Sequence, residues 1–262
     1  MMKITSILLD LDDTLVVEEA SAYESFLAAA DHLNKFHNIN RENFISKIRK
    51  EARELWYSLA TIDYASKIGI SSWEALWADF SEINEDQKAL MQIRDYYQQN
   101  SWYNALKKFR IDDKSLAEAL SLIYREDRRE RHILFDDTKP FLEELSKLNL
   151  KTALITNGIP DLQWQKINKS GIKNYFSAIT ISGEFGSKKP DKEIFTHTLD
   201  KLKVRAEDAV MIGNSLESDI KGANDSGIRS IWLNRNKEEN KTDIIPDYEI
   251  DCLDFNIVKS FL

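Results

Sequence analysis

Glycine and proline are distributed so unevenly that they divide the chain before any other feature is considered. Residues 1–137 contain one Gly, Gly69, and no Pro, whereas residues 138–262 carry the other seven Gly and all four Pro. Gly reaches positive φ, and Pro fixes φ while lacking an N–H, so both mark turns. The first half is therefore expected to be long helices with few tight turns. The second half is expected to be a turn-rich alternating structure. A length of 262 residues suits one large domain or two small ones.

The second half reads as α/β. Apolar, β-prone runs fall at residues 152–155, 178–181, 209–212 and 230–233, with helical patterns at 161–170, 191–202 and 216–226 between them. Strands alternating with helices of this length build right-handed βαβ units and a parallel sheet. Residues 3–9, with Ile4, Ile7, Leu8 and Leu9, read as another such strand. If it joins the same sheet, residues 1–15 and 138–262 form a Rossmann-like core flanked by helices, and residues 16–137 form an all-helical domain inserted after the first strand.

Helical spacing recurs through the insertion at residues 24–36, 42–59, 73–80, 86–109 and 114–124. Ser72 is the candidate N-cap of the third of these. Trp56, Trp73, Trp77 and Trp102 lie in this stretch, and aromatic stripes at helical spacing read as helix–helix core before they read as a base-stacking pocket. The mixed-sign run Arg125–Arg131 reads as a solvated helix end rather than a basic binding patch.

Charge and composition narrow the function classes. The net charge of −8 disfavours a general nucleic-acid binder, which needs clustered cations. The longest apolar run is five residues, at 26–30, too short to span a bilayer, and Asp10 interrupts the N-terminal apolar stretch before it resembles a signal peptide. A single cysteine, Cys252, excludes an internal disulfide and any multi-Cys metal site. His32, His37, His132 and His197 suggest no metal triad. A cytoplasmic protein is the natural expectation.

Four short motifs then fall at successive strand ends. Asp10-Leu11-Asp12-Asp13-Thr14 follows the first strand, at the carboxyl edge where open α/β sheets bind ligands. Carboxylates at i and i+2 can divide the roles of attack or metal binding and proton transfer. Thr156-Asn157-Gly158 offers a hydroxyl and main-chain N–H groups to an anion. Lys189 precedes Pro190, which excludes it from the α region and holds it at a helix start, suited to neutralising a phosphate. Gly213-Asn214-Ser215 leads to Asp219, in the following loop or first helical turn, which could supply an oxygen ligand to Mg²⁺.

In this order and context the motifs resemble the haloacid dehalogenase superfamily of phosphohydrolases. Gln163, Lys166, Gly222, Ala223 and Gly227 add to the match. The nearest likeness is to the branch of pyrimidine 5′-nucleotidases and N-acylneuraminate-9-phosphatase-like enzymes. The resemblance makes the insertion a helical cap that selects the leaving group, with candidate hinges at residues 16–19 and 134–139. It makes Asp10 the nucleophile and Asp12 the general acid/base. Thr156, the Asn157 backbone and Lys189 would hold the transferring phosphoryl group. Mg²⁺ would be bound by Asp10, the Asp12 main-chain carbonyl, Asn214 and Asp219. A neighbouring carboxylate and partial burial would favour the protonated form of Asp12.

One residue departs from the pattern: Asn214 stands where the family commonly has Asp. It can still ligate Mg²⁺ but lacks the charge, which implies weaker binding or greater reliance on Asp219. The expected function is Mg²⁺-dependent hydrolysis of a small phosphomonoester, of the nucleotide or sugar-phosphate class, through an aspartyl-phosphate. The alternatives are a phosphotransferase or mutase, a 2-haloacid dehalogenase, which lacks an acid/base at the position of Asp12, and a non-catalytic binding protein on the same fold.

Overall fold

The computed structural model describes residues 4–81, 84–148 and 150–260, so Lys3, where the expected first strand begins, lies outside the described residues. The chain divides into two compact units. One comprises Met1–Val17, Ile133–Gly158 and Lys166–Leu262; the other comprises Glu18–His132 and Ile159–Gln165.

The first unit is built on a six-stranded sheet of order β3-β2-β1-β4-β5-β6, with every pairing parallel. The strands are β1 (Ser6–Leu9), β2 (Lys151–Thr156), β3 (Ala178–Ile181), β4 (Ala209–Gly213), β5 (Arg229–Leu233) and β6 (Tyr248–Ile250). All four β1 residues are buried, as a central parallel strand covered on both faces requires. Ile7 pairs with Thr152 on one side and Val210 on the other. The strand order reverses at β1, and such a reversal opens a crevice at the carboxyl edge. β6 is the strand that residue patterning misses. It has only three residues, at the edge of the sheet, and tertiary contacts fix it: the Asp247 carboxylate accepts the Ser230 N–H at 2.8 Å.

The second unit holds α1 (Glu19–Leu33), α2 (Arg41–Tyr57), α3 (Ile62–Ile68), α4 (Ser72–Ala75), α5 (Glu85–Lys107) and α6 (Lys114–Glu130). The first unit carries α7 (Thr138–Ser146), α9 (Ser182–Phe185), α10 (Lys192–Leu202), α11 (Lys221–Asp225) and α12 (Phe255–Lys259), while α8 (Pro160–Lys169) contributes residues to each unit. Nothing in the residue pattern marks 159–165 as part of the helical unit. Ile159 and Leu162 are buried in its apolar cluster, and the Asp161 carboxylate accepts the Asp79 and Phe80 N–H groups at 2.9 and 3.3 Å.

The aromatic stripes form helix–helix core. Trp56, Trp77 and Trp102 are buried, Phe26 and Tyr124 have ring centroids 4.4 Å apart, and Trp56 lies 4.9 Å from Tyr97. Two local expectations are corrected. The cap of α4 is Ser71, not Ser72: Ser71 Oγ accepts the Glu74 N–H and the Glu74 carboxylate accepts the Ser71 N–H, a capping box that Ser72 has no Glu at the right spacing to complete. Nor is the 125–131 run simply solvated. Arg128 is fully buried, donates to Glu18 at 2.6 Å and lies 4.8 Å over the Trp77 ring, because its helix face turns inward. Among the described residues no helix is long and apolar enough to cross a membrane.

Candidate active site

The carboxyl ends of β1, β2 and β4 position the site, and Lys189 lies at its centre. Its buried ammonium donates to Asp10 Oδ1 and Asp219 Oδ1, both at 2.6 Å. Asp10 directly follows β1, and its N–H still donates to Ile212 O at 3.1 Å, so the nucleophile candidate is anchored as an extension of the sheet. The chain then turns at once: Leu15 and Val16 N–H groups both return to Leu11 O, and Asp13 adopts φ 54°, a left-handed conformation Asp tolerates. The turn carries Thr14 back over Asp10, where its hydroxyl donates to Asp10 Oδ2 at 3.0 Å and accepts the Asn214 N–H at 3.2 Å.

Asp219 arrives by a different route. After β4 the chain forms one wide helical turn, Leu216–Ile220, with Lys221 N–H donating to Leu216 O, before α11 begins. Such π turns recur at functional sites. The turn directs Asp219 back toward β4, where its Oδ2 accepts the Ser215 N–H at 3.0 Å. This return needs Gly213: a Cβ there would lie 2.2 Å from Asp219 Oδ2. Gly213→Ala is expected to push the carboxylate away from Lys189, lowering stability by about 1–3 kcal/mol by overpacking and catalytic efficiency by about tenfold or more. Urea unfolding and steady-state kinetics measure both; parental values would show that the close approach is dispensable.

Asn157 ties the second motif to the third. Its side-chain amide donates to Lys189 O at 3.0 Å, and its Oδ1 accepts the Lys189 N–H at 2.8 Å. The Asn157 side chain thus clamps the Lys189 backbone, in addition to the backbone role expected from sequence. Thr156 is buried at the end of β2, its hydroxyl 3.3 Å from Asn157 O. Pro190 lies in a turn closed by Asp191 N–H to Lys188 O, just ahead of α10, rather than in that helix's first turn. The turn is set by the Lys189 backbone that Asn157 clamps.

Asp12 has an environment that sequence reasoning did not foresee. Its Oδ1 accepts from the Lys166 ammonium at 2.9 Å, in addition to the neighbouring carboxyl of Asp10, with which its charge interacts. Lys166, among the flanking residues that support the family resemblance, had no role assigned to it. Thr14 and Arg235 were also missed. Arg235 donates to Thr14 O at 2.8 Å and to both Asp137 oxygens at 2.7 and 2.9 Å, and so braces the turn that holds Thr14 over Asp10. The one signal for Thr14 is its place four residues after Asp10; Arg235, more than 200 residues away, offers none.

The electrostatics follow from burial. Burial pushes the Asp10 carboxyl up to about 7, with the Asp219 and Asp12 charges adding to the rise and Lys189 opposing it. Burial disfavours the Lys189 ammonium too, but Asp10 and Asp219 outweigh it and hold that group above its ordinary value. Three carboxylates, Asp10, Asp12 and Asp219, face two ammonium groups, Lys189 and Lys166.

Among the described residues, no three His, Cys, Asp or Glu side chains gather into a metal cage. The ligand set expected for Mg²⁺ does not need one: Mg²⁺ takes one or two carboxylates and completes its shell with other oxygens and water. Asp10, Asp219, the Asp12 carbonyl and the Asn214 amide supply only hard oxygen donors. The residues present fit the ion.

The sequence model of haloacid dehalogenase-like hydrolases matches residues 4–227 of this chain. The phosphoserine phosphatase of Thermus thermophilus is 31% identical over 247 residues, covering 94% of this chain and 95% of the relative. The N-acylneuraminate-9-phosphatase of Mus musculus is 36% identical over 137 residues, covering 51% of this chain and 55% of the relative. In solved structures, the HAD-hydrolase YfnB of Bacillus subtilis bound to magnesium shares the fold, with a TM-score of 0.68, 23% identity and 99% of each chain covered.

Proposed function

The chain belongs to the haloacid dehalogenase-like hydrolases and is a phosphatase of that family, and on this premise we propose that it hydrolyses a small phosphomonoester with Mg²⁺ through an aspartyl-phosphate on Asp10. The observation that carries the reading is the buried Lys189 ammonium held between Asp10 and Asp219 at the carboxyl edge of the sheet. A cation fixed beside a nucleophilic carboxylate is what an incoming phosphoryl dianion needs, because phosphoryl transfer is catalysed mainly by positioning and charge neutralisation.

Asp10 attacks phosphorus, with Thr14 orienting it through Oδ2. Lys189, Thr156 and the Asn157 backbone bind the phosphoryl oxygens. Asp12 gives a proton to the leaving oxygen and then takes one from the attacking water. Asp10, the Asp12 carbonyl, Asn214 and Asp219 would hold Mg²⁺, which would supply charge neutralisation for the phosphoryl group. The substrate class is a soluble phosphate ester of a small hydroxylated molecule: a sugar phosphate, a nucleotide or a phosphorylated hydroxy amino acid. Asp12 and its Lys166 partner favour this reading over dehalogenation, which has no need of an acid/base at that position.

A phosphomonoester panel assayed with and without Mg²⁺ tests the reading. Hydrolysis of at least one ester that depends on Mg²⁺ is expected; no turnover across the panel would sink it, and chloride release from a 2-haloacid without Mg²⁺ would replace it. The raised Asp10 carboxyl adds a pH signature. Proton and metal compete for the same group, so the half-saturating Mg²⁺ concentration should rise about tenfold per pH unit below 7 and level off above it. Asn214→Asp is expected to lower that concentration at every pH. A Mg²⁺ requirement indifferent to pH and to this substitution would remove Asp10 and Asn214 from the ligand set.

A further inference from the structure

We propose that Lys166 is a positioning residue for Asp12, and that it determines which oxygen of that carboxylate handles the proton. The proposal rests on the phosphatase reading above and assigns a role to a residue outside the four motifs. Lys166 is in the last turn of α8, its side chain is 0% exposed, and its ammonium lies 2.9 Å from Asp12 Oδ1. A buried cation is retained only with a counter-charge, and the proton-transfer group supplies one here.

The consequence is geometric. The terminal torsion of an Asp side chain is broad, so an unrestrained carboxylate swings. A charge-assisted hydrogen bond to Oδ1 fixes the carboxylate plane and commits that oxygen as an acceptor. The transferable proton then resides on Oδ2. In the first step an Asp10 oxygen bonds to phosphorus as the ester P–O bond breaks, and the leaving oxygen keeps the electron pair and takes the Asp12 Oδ2 proton. In the second, a water oxygen bonds to phosphorus while Asp12 Oδ2 takes a proton from that water, and the Asp10–phosphorus bond breaks. Monoester and water become alcohol and phosphate, with both Asp residues restored.

Leaving-group chemistry tests this. A general acid matters in proportion to the basicity of the leaving oxygen, and kcat/KM reports only the steps through formation of the aspartyl-phosphate. Lys166→Met, a neutral side chain of similar length, is expected to lower kcat/KM for an alkyl phosphomonoester about 100-fold and that for p-nitrophenyl phosphate less than about threefold. In an Asp12→Asn background, Lys166→Met should add less than about twofold for either ester. Equal losses on both esters, or no loss on either, would overturn the proposal, since a purely structural lysine does not sense the leaving group. If Lys166→Met does not fold, as judged by circular dichroism, Lys166→Gln is subjected to the same ratio test. Failure of the phosphatase reading is separable, because it appears in the parent chain as no hydrolysis of any ester.

Discussion

Asp10→Asn is expected to reduce phosphomonoester hydrolysis by about four orders of magnitude or more, and yet to leave the chain at least as stable as the parent at pH 8 without metal. The first half follows from the proposed role. An amide is a poor nucleophile toward phosphorus, and the covalent route has no substitute once that oxygen is lost. The second half follows from burial. The Asp10 carboxyl titrates at about 7 in the folded chain against 3.8 in the open, so between those values the folded state binds the additional proton. Metal-free stability therefore falls as pH rises from about 4 to about 7, and the cost of ionising Asp10 is fully present above that window. The amide removes this cost, while Lys189 keeps its bond to Asp219. Activity with a phosphomonoester panel and thermal unfolding at pH 8 measure the two effects. Acid quenching of the parent with phosphorus-labelled substrate should leave label on the protein, and on the variant none. Residual activity within a hundredfold of the parent would exclude Asp10 as the nucleophile.

Lys189→Met should do the opposite to stability. It leaves Asp10 and Asp219 buried together without the ammonium that now sits 2.6 Å from each. Removing one partner of a buried charged group costs about 3–5 kcal/mol, and that loss is expected at pH 8. At pH 5 Asp10 is protonated in the metal-free chain, so only Asp219 retains an unpaired charge and the loss should be smaller. Added Mg²⁺ should recover part of it, since a cation that binds only the folded state stabilises that state. Activity should fall about a thousandfold, the scale of removing an electrostatic donor from a reacting anion. Urea midpoints at the two pH values, with and without Mg²⁺, separate these effects. An unchanged midpoint at pH 8 would mean that Lys189 does not neutralise the pair.

Five of the sheet's six strands were legible because a buried parallel strand is a short apolar run, visible without its neighbours: β1 lies within residues 3–9 of the sequence, residues 152–155 lie within β2, and 209–212 within β4. The edge strand β6 was not legible, since three residues hold too little pattern and its place depends on β5 and Asp247. Helix bounds behaved similarly. The stripe at 73–80 does hold buried Trp77 and Phe80, but α4 ends at Ala75, and Phe80 takes φ 57° while its N–H goes to the Asp161 carboxylate. Residues from beyond residue 150 set that conformation, and no local window contains them.

The sequence by itself determined the chemistry on offer: which carboxylates, lysines and hydroxyls stand at successive strand ends, and in what order. Those are properties of residue type and spacing along one strand and the turn after it. Only the tertiary structure decided which charges meet. Lys189 could equally have been a solvated phosphate ligand; folding buries it between Asp10 and Asp219. Lys166 is 154 positions from Asp12, and Arg235 is 221 from Thr14, yet each closes a hydrogen bond that orients the site. The reason is the range of the forces involved. Backbone preference and apolar periodicity act over a few residues and are written in the local sequence. Charge pairing and burial depend on distance in space, which is fixed only when β1, β2 and β4 lie side by side.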